Sequence, residues 1–98
     1  MLVEIQVLPR PAGTADDPYR HVDAAIAVIQ DAGVVYEVGA LGTTFEATPD
    51  QAWRLSRAVH DACLAAGAES VITMLKLSEA SGDTGPTIAG LVGKFRGA

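Results

Sequence analysis

The apolar positions of this chain switch repeatedly between the period of a strand and that of a helix, and the order of those switches restricts its fold more than any other feature. In residues 2–8, L-V-E-I-Q-V-L, Val3, Ile5 and Val7 alternate with Glu4, Gln6 and Leu8, as a strand requires. Pro9 and Pro11 are expected to stop it, and residues 13–17 read as a loop. Asp17-Pro18 then has the form of a helix start, with Asp17 as N-cap and Pro18 in the first helical position. Val22, Ile26, Ile29 and Ala32 follow at helical spacing, and Gly33 suits the left-handed residue that ends a helix.

The period then returns to two. Residues 34–38 are rich in β-branched and aromatic side chains, residues 39–42 permit a tight reversal, and residues 41–47 read as the second arm of a hairpin. Thr48-Pro49-Asp50-Gln51 carries a capping threonine, a proline at the first helical position and the glutamine of a capping box. A stripe of Leu55, Val59, Ala62 with Cys63, and Ala66 runs from there to Gly67. A strand at residues 70–77 follows, then a polar loop at 79–86 and a short terminal helix at 87–96, weakened by Gly90 and Gly93.

Strand, helix, strand, strand, helix, strand, joined by right-handed crossovers, predicts an α+β, ferredoxin-like βαββαβ sandwich. Its four-stranded antiparallel sheet would carry two helices on one face. At 98 residues the chain is expected to form one small domain over 1–98. The last strand is apolar on both sides, with Val71, Leu75 and Leu77 on one and Ile72 and Met74 on the other. A sheet covered by helices on one face leaves the second set exposed, so a homo-oligomer meeting through its sheets is expected.

Charge and cysteine content narrow the function classes. A net charge of −5 with scattered basic residues does not suit a protein that tracks phosphates, so no nucleic-acid partner is expected. No apolar run reaches the length of a membrane span, and residues 1–4 lack the layout of a signal peptide. A lone cysteine, Cys63, allows no internal disulfide, and the expectation is a cytoplasmic protein.

Three candidate chemistries fail on their context. Asp83-Thr84-Gly85 is the triplet of aspartic proteases, yet it follows Glu79-Ala80-Ser81-Gly82 in a polar loop rather than an apolar strand. His60 and Cys63 stand at the spacing of a metal edge, but no second pair accompanies them and Cys63 lies on the apolar stripe. Ser56 and Ser70 have no histidine with an orienting acid. No catalytic residue and no metal ligand is expected, and the chain reads as no enzyme.

Glu46 is different. If Thr43 and Phe45 face the helices, Thr44 and Glu46 face away, and the ferredoxin-like strand order sets them beside Glu4 and Gln6. Polar groups there must be met by water, by one another across a subunit interface, or by a ligand.

The stretches E-I-Q-V-L-P, Y-E-V-G-A-L-G-T-T-F-E, H-D-A-C-L-A-A-G-A-E-S-V-I-T, K-L and P-T-I-A-G together resemble the small thiamine-binding protein family along essentially the whole chain. The most distinctive pieces are Tyr36, Gly42-Thr43, Glu46, Gly67-Ala68 and Lys76. The chain departs from the family pattern at Ala47, where glycine is usual, at Leu91, where a lysine is frequent, and in a longer loop at 10–17. The resemblance implies dimers or tetramers assembled through the sheets and no catalysis. It also implies thiamine or its hydroxymethylpyrimidine half bound at the sheet or a subunit interface, with no other cofactor. On that basis Glu4, Tyr36, Thr43, Thr44, Glu46 and Lys76 are the expected ligand-binding residues. Glu46 would offset the charge or accept from the amine, Tyr36 would stack on a ring, and Thr43 or Thr44 would bond the pyrimidine edge. The rival expectation is an oligomeric interaction or regulatory module without a small ligand.

Overall fold

The computed structural model describes residues 1–82 and 85–96. The elements run β1 (Leu2–Arg10), α1 (Arg20–Asp31), β2 (Tyr36–Val38), β3 (Thr43–Glu46), α2 (Pro49–Ala65), β4 (Ser70–Ser78) and α3 (Ile88–Arg96). The sheet order is β2-β3-β1-β4 with every neighbouring pair antiparallel. This is the ferredoxin-like arrangement expected from the period switches.

β1 continues two residues past the expected stop, and Pro9 pairs with Val71. β3 reaches only from Leu2 to Ile5 of β1, so among the described residues the half that holds Pro9 has β4 as its single strand neighbour. A residue without an N–H is tolerated at such an edge.

The start of α1 also differs from expectation. Asp17 is not its N-cap; Tyr19 is, and no side chain caps the helix. The Asp17 carbonyl instead accepts the N–H groups of Thr14 and Arg20, while its own N–H donates to Thr14 Oγ1. These bonds turn residues 14–17 into a knot of their own and delay the helix by two residues. The buried face of α1 is correspondingly His21, Ala25 and Ile29, with Val22 and Ile26 at its margin. His21 Nδ1 lies 2.7 Å from the Pro11 carbonyl oxygen, so it carries a proton and donates it, tying the loop back to α1.

α2 begins as its sequence dictates. Thr48 Oγ1 accepts the Gln51 N–H at 3.3 Å, and Pro49 occupies the first turn, where its missing N–H costs nothing. Both helices end at the expected glycines, Gly33 with φ +75° and Gly67 with φ +123°. The core lies between α1, α2 and one sheet face. It is built from Val3, Ile5, Ala25, Ile29, Phe45, Ala52, Leu55, Val59, Cys63 and Ala68.

Burial pushes the Cys63 thiol pKa above its ordinary value, against a smaller lowering from its bond to backbone. The folded state therefore favours the protonated thiol. That contribution to stability is present below the ordinary thiol pKa and is lost as pH rises, because the unfolded chain ionises first. A disulfide reagent at mildly alkaline pH should label Cys63 at the rate of unfolding. Labelling as fast as a free thiol in the native state would contradict the buried position.

Candidate functional site

Register assigns each side chain to a face. Leu2 pairs with Glu46 and Ser78, Glu4 with Thr44 and Lys76, Gln6 with Met74, Leu8 with Ile72, and Glu37 with Thr44. Paired residues point the same way. The face away from α1 and α2 thus carries Leu2, Glu4, Gln6, Leu8, Glu37, Thr44, Glu46, Ile72, Met74, Lys76 and Ser78.

α3 lies across one end of this open face. Its sequence is a poor helix on its own, with Gly90 and Gly93 each costing about 1 kcal/mol relative to alanine. Bonds at both ends hold it. Thr87 Oγ1 accepts the Gly90 N–H at 3.0 Å, and Glu46 Oε2 accepts the Ile88 N–H at 2.9 Å. A carboxylate at that position meets both an otherwise unpaired donor and the positive end of the helix dipole. At the other end Arg96 donates to Glu37 Oε1.

Between α3 and the sheet is a cavity of about 410 Å³. Leu2, Ile88, Leu91 and Val92 supply its apolar walls, and Glu4, Glu37, Thr44, Lys76, Ser78 and Arg96 its polar groups. Lys76 Nζ lies 3.5 Å from Glu4 Oε1, an exposed pair of small energetic weight. A larger hollow of about 500 Å³ opens at the loop end of the fold, lined by Glu46, Glu79 and mostly loop residues. The sheet cavity is the better small-molecule candidate, because apolar walls and convergent polar groups at this size characterise such sites.

The expected site residues divide across the sheet. Glu4, Thr44 and Lys76 line the cavity together. Glu46 is on the same face but is engaged with α3 rather than lining that cavity. Thr43 is on the opposite face, buried among the core residues, as strand parity requires. Tyr36 is separated as well: it pairs with Phe45, so it points to the helix side. Glu37, the next residue, takes the open-face position instead. Glu37 and Arg96 were not among the expected residues. The parity of the hairpin could have identified Glu37, but nothing in the sequence marks Arg96.

The remaining candidate chemistries keep their bland explanations. His60 Nδ1 bonds Thr73 Oγ1, while Cys63 is sealed in the core. Asp83 and Thr84 of the protease-like triplet lie outside the described residues. Among the described residues no group of three His, Cys, Asp or Glu side chains is placed to hold a metal ion, and no helix is long and apolar enough to cross a membrane.

With this geometry in view, the chain matches the model of the thiamine-binding protein family over residues 3–95. The chain belongs to that family. A UPF0045 protein of Clostridium perfringens is 33% identical over 96 residues, covering 96% of this chain and 95% of the relative. Among solved structures, a Bacillus cereus domain of unknown function is 40% identical with a TM-score of 0.84, covering 97% of this chain and 88% of the other. A Thermotoga maritima protein proposed to act in thiamine biosynthesis or salvage is 27% identical, with a TM-score of 0.80 and 97% coverage of each chain. These two solved structures therefore share the fold at nearly full length.

Proposed function

We propose that this member of the thiamine-binding family is a non-enzymatic, cytoplasmic binding protein. Its ligand would be thiamine or the hydroxymethylpyrimidine moiety of thiamine, held beneath α3. The observation that carries this reading is the cavity itself, in which Glu4, Glu37 and Thr44 converge between apolar walls. Thiamine offers a fixed positive charge, an aminopyrimidine and apolar ring faces. Carboxylates meet the charge or accept from the amine, the Thr44 hydroxyl bonds the ring edge, and Leu2, Leu91 and Val92 cover the faces. Glu46 acts one step removed, by holding the helix that forms the wall.

Calorimetric titration with each compound to millimolar concentration should give saturable heat and a raised melting point. A ligand that binds the folded state alone stabilises it by about 2.7 kcal/mol at a hundredfold excess over Kd. Glu37→Ala should weaken that binding. Absence of heat with both compounds would sink the reading.

A second feature favours self-association. Leu8, Ile72 and Met74 are 43%, 60% and 57% exposed on the open face. Among the described residues β4, at the sheet edge, pairs along its length with β1 alone. Such a surface is what a dimer or tetramer joined through its sheets would bury. Light scattering reads the copy number, and Ile72→Asp should lower it. Association without any ligand heat would leave the interaction module as the function.

A further inference from the structure

The sheet cavity contains carboxylates suited to a cation, yet each is already answered from within the chain. Glu4 is paired with Lys76, and Glu37 with Arg96. These pairs are not equivalent. The Lys76 and Glu4 side chains are 83% and 52% exposed, whereas Arg96 and Glu37 are 61% and 34% exposed. Glu37 is thus the better shielded carboxylate, where a cation gains most because water screens it least. It is also the one an arginine already holds.

We infer that Arg96 is a specificity-determining residue that occupies the place of a cationic ligand, so that such a ligand binds by exchanging with it at Glu37. The inference rests on the small-molecule reading of the same cavity and adds to it the charge selection. A ligand with a fixed positive charge must displace the guanidinium, while a neutral heterocycle has no need to do so. Arg96 is well placed to leave. It is the last residue of α3, its side chain is mostly exposed, and a solvated guanidinium loses little on release. Its departure need not unseat the helix, because Glu46 holds Ile88 at the opposite end and Ile88 and Val92 stay against the sheet.

The exchange gives Arg96→Gln opposite effects from those of a residue that merely closes the cavity. Removing a competing partner that is itself mostly exposed should tighten thiamine binding by about two- to fivefold. The uncharged hydroxymethylpyrimidine should bind the variant and the native chain alike. Arg96→Lys, which keeps the charge, should restore the weaker thiamine affinity. Glu37→Gln in the Arg96→Gln background should remove the gain.

Calorimetry of both compounds against these variants decides it, with circular dichroism confirming that each retains its helices. Thiamine affinity that is unchanged or lower in Arg96→Gln, with binding still measurable, overturns the exchange and leaves the binding function standing. An equal gain for both compounds also overturns it, since charge would then play no part. No heat from either compound in any variant removes the exchange together with the function on which it rests.

Discussion

Phe45→Ala should lose about 3–5 kcal/mol of folding stability, the usual cost of emptying a large aromatic site in a core. Phe45 is completely buried in the short strand β3, with Val3 and Tyr36 as its cross-strand neighbours. The same strand supplies Thr44 and Glu46 to the opposite face, so its position fixes both the core and the site. Small domains have only about 5–15 kcal/mol in total. The melting point should therefore fall by something on the order of 20 °C. Phe95→Ala is the matching control. It removes the same side chain from α3, where it is 76% exposed, and should change stability by no more than about 0.5 kcal/mol. Similar losses from the two variants in denaturant titrations would contradict the burial that distinguishes them.

The fold was legible where local chemistry and tertiary packing agree. Thr48, Pro49 and Gln51 each favour a helix start by a separate mechanism, and α2 begins where they place it. Gly33 and Gly67 terminate helices because their positive φ values exclude most other residues. Legibility failed where a backbone group had a competing use. Asp17 looks like an N-cap, but the carbonyl that turns back to Thr14 and Arg20 commits it to a loop. Pro9 looks like a strand breaker, and only the short reach of β3 shows why it is not one.

For the site, period-two parity alone sets Glu4, Thr44 and Glu46 on one face, and register adds Lys76 from the edge strand. The same parity, applied across the hairpin, sets Glu37 on that face and Tyr36 on the other. What no pattern could supply was the seat of α3. Its two glycines argue against a helix, and the carboxylate that anchors its start, Glu46, is distant in sequence.

That dependence makes Glu46→Ala the most informative change on the open face. The bond from Ile88 N–H to a carboxylate is charge-assisted, and losing it should cost α3 about 1–2 kcal/mol of docking. Little else holds the helix: Ile88 and Val92 are half-buried, no residue of α3 is fully buried, and the Arg96 side chain is mostly exposed. The undocked state should then become well populated. Hydrogen exchange at residues 88–92 should rise toward that of an open chain. Ligand affinity should drop about tenfold, since binding is reduced by the fraction of molecules that retain the wall. Glu46→Gln should fall between the two, keeping an acceptor while giving up the charge that complements the helix dipole. Unaltered exchange in α3 would show that Glu46 is not its anchor. The sign of the affinity change matters as much as its size. A helix serving only as a cover would lose ligand when either end was released. If Arg96 competes for Glu37, freeing the N-terminal end weakens thiamine binding while removing the arginine strengthens it.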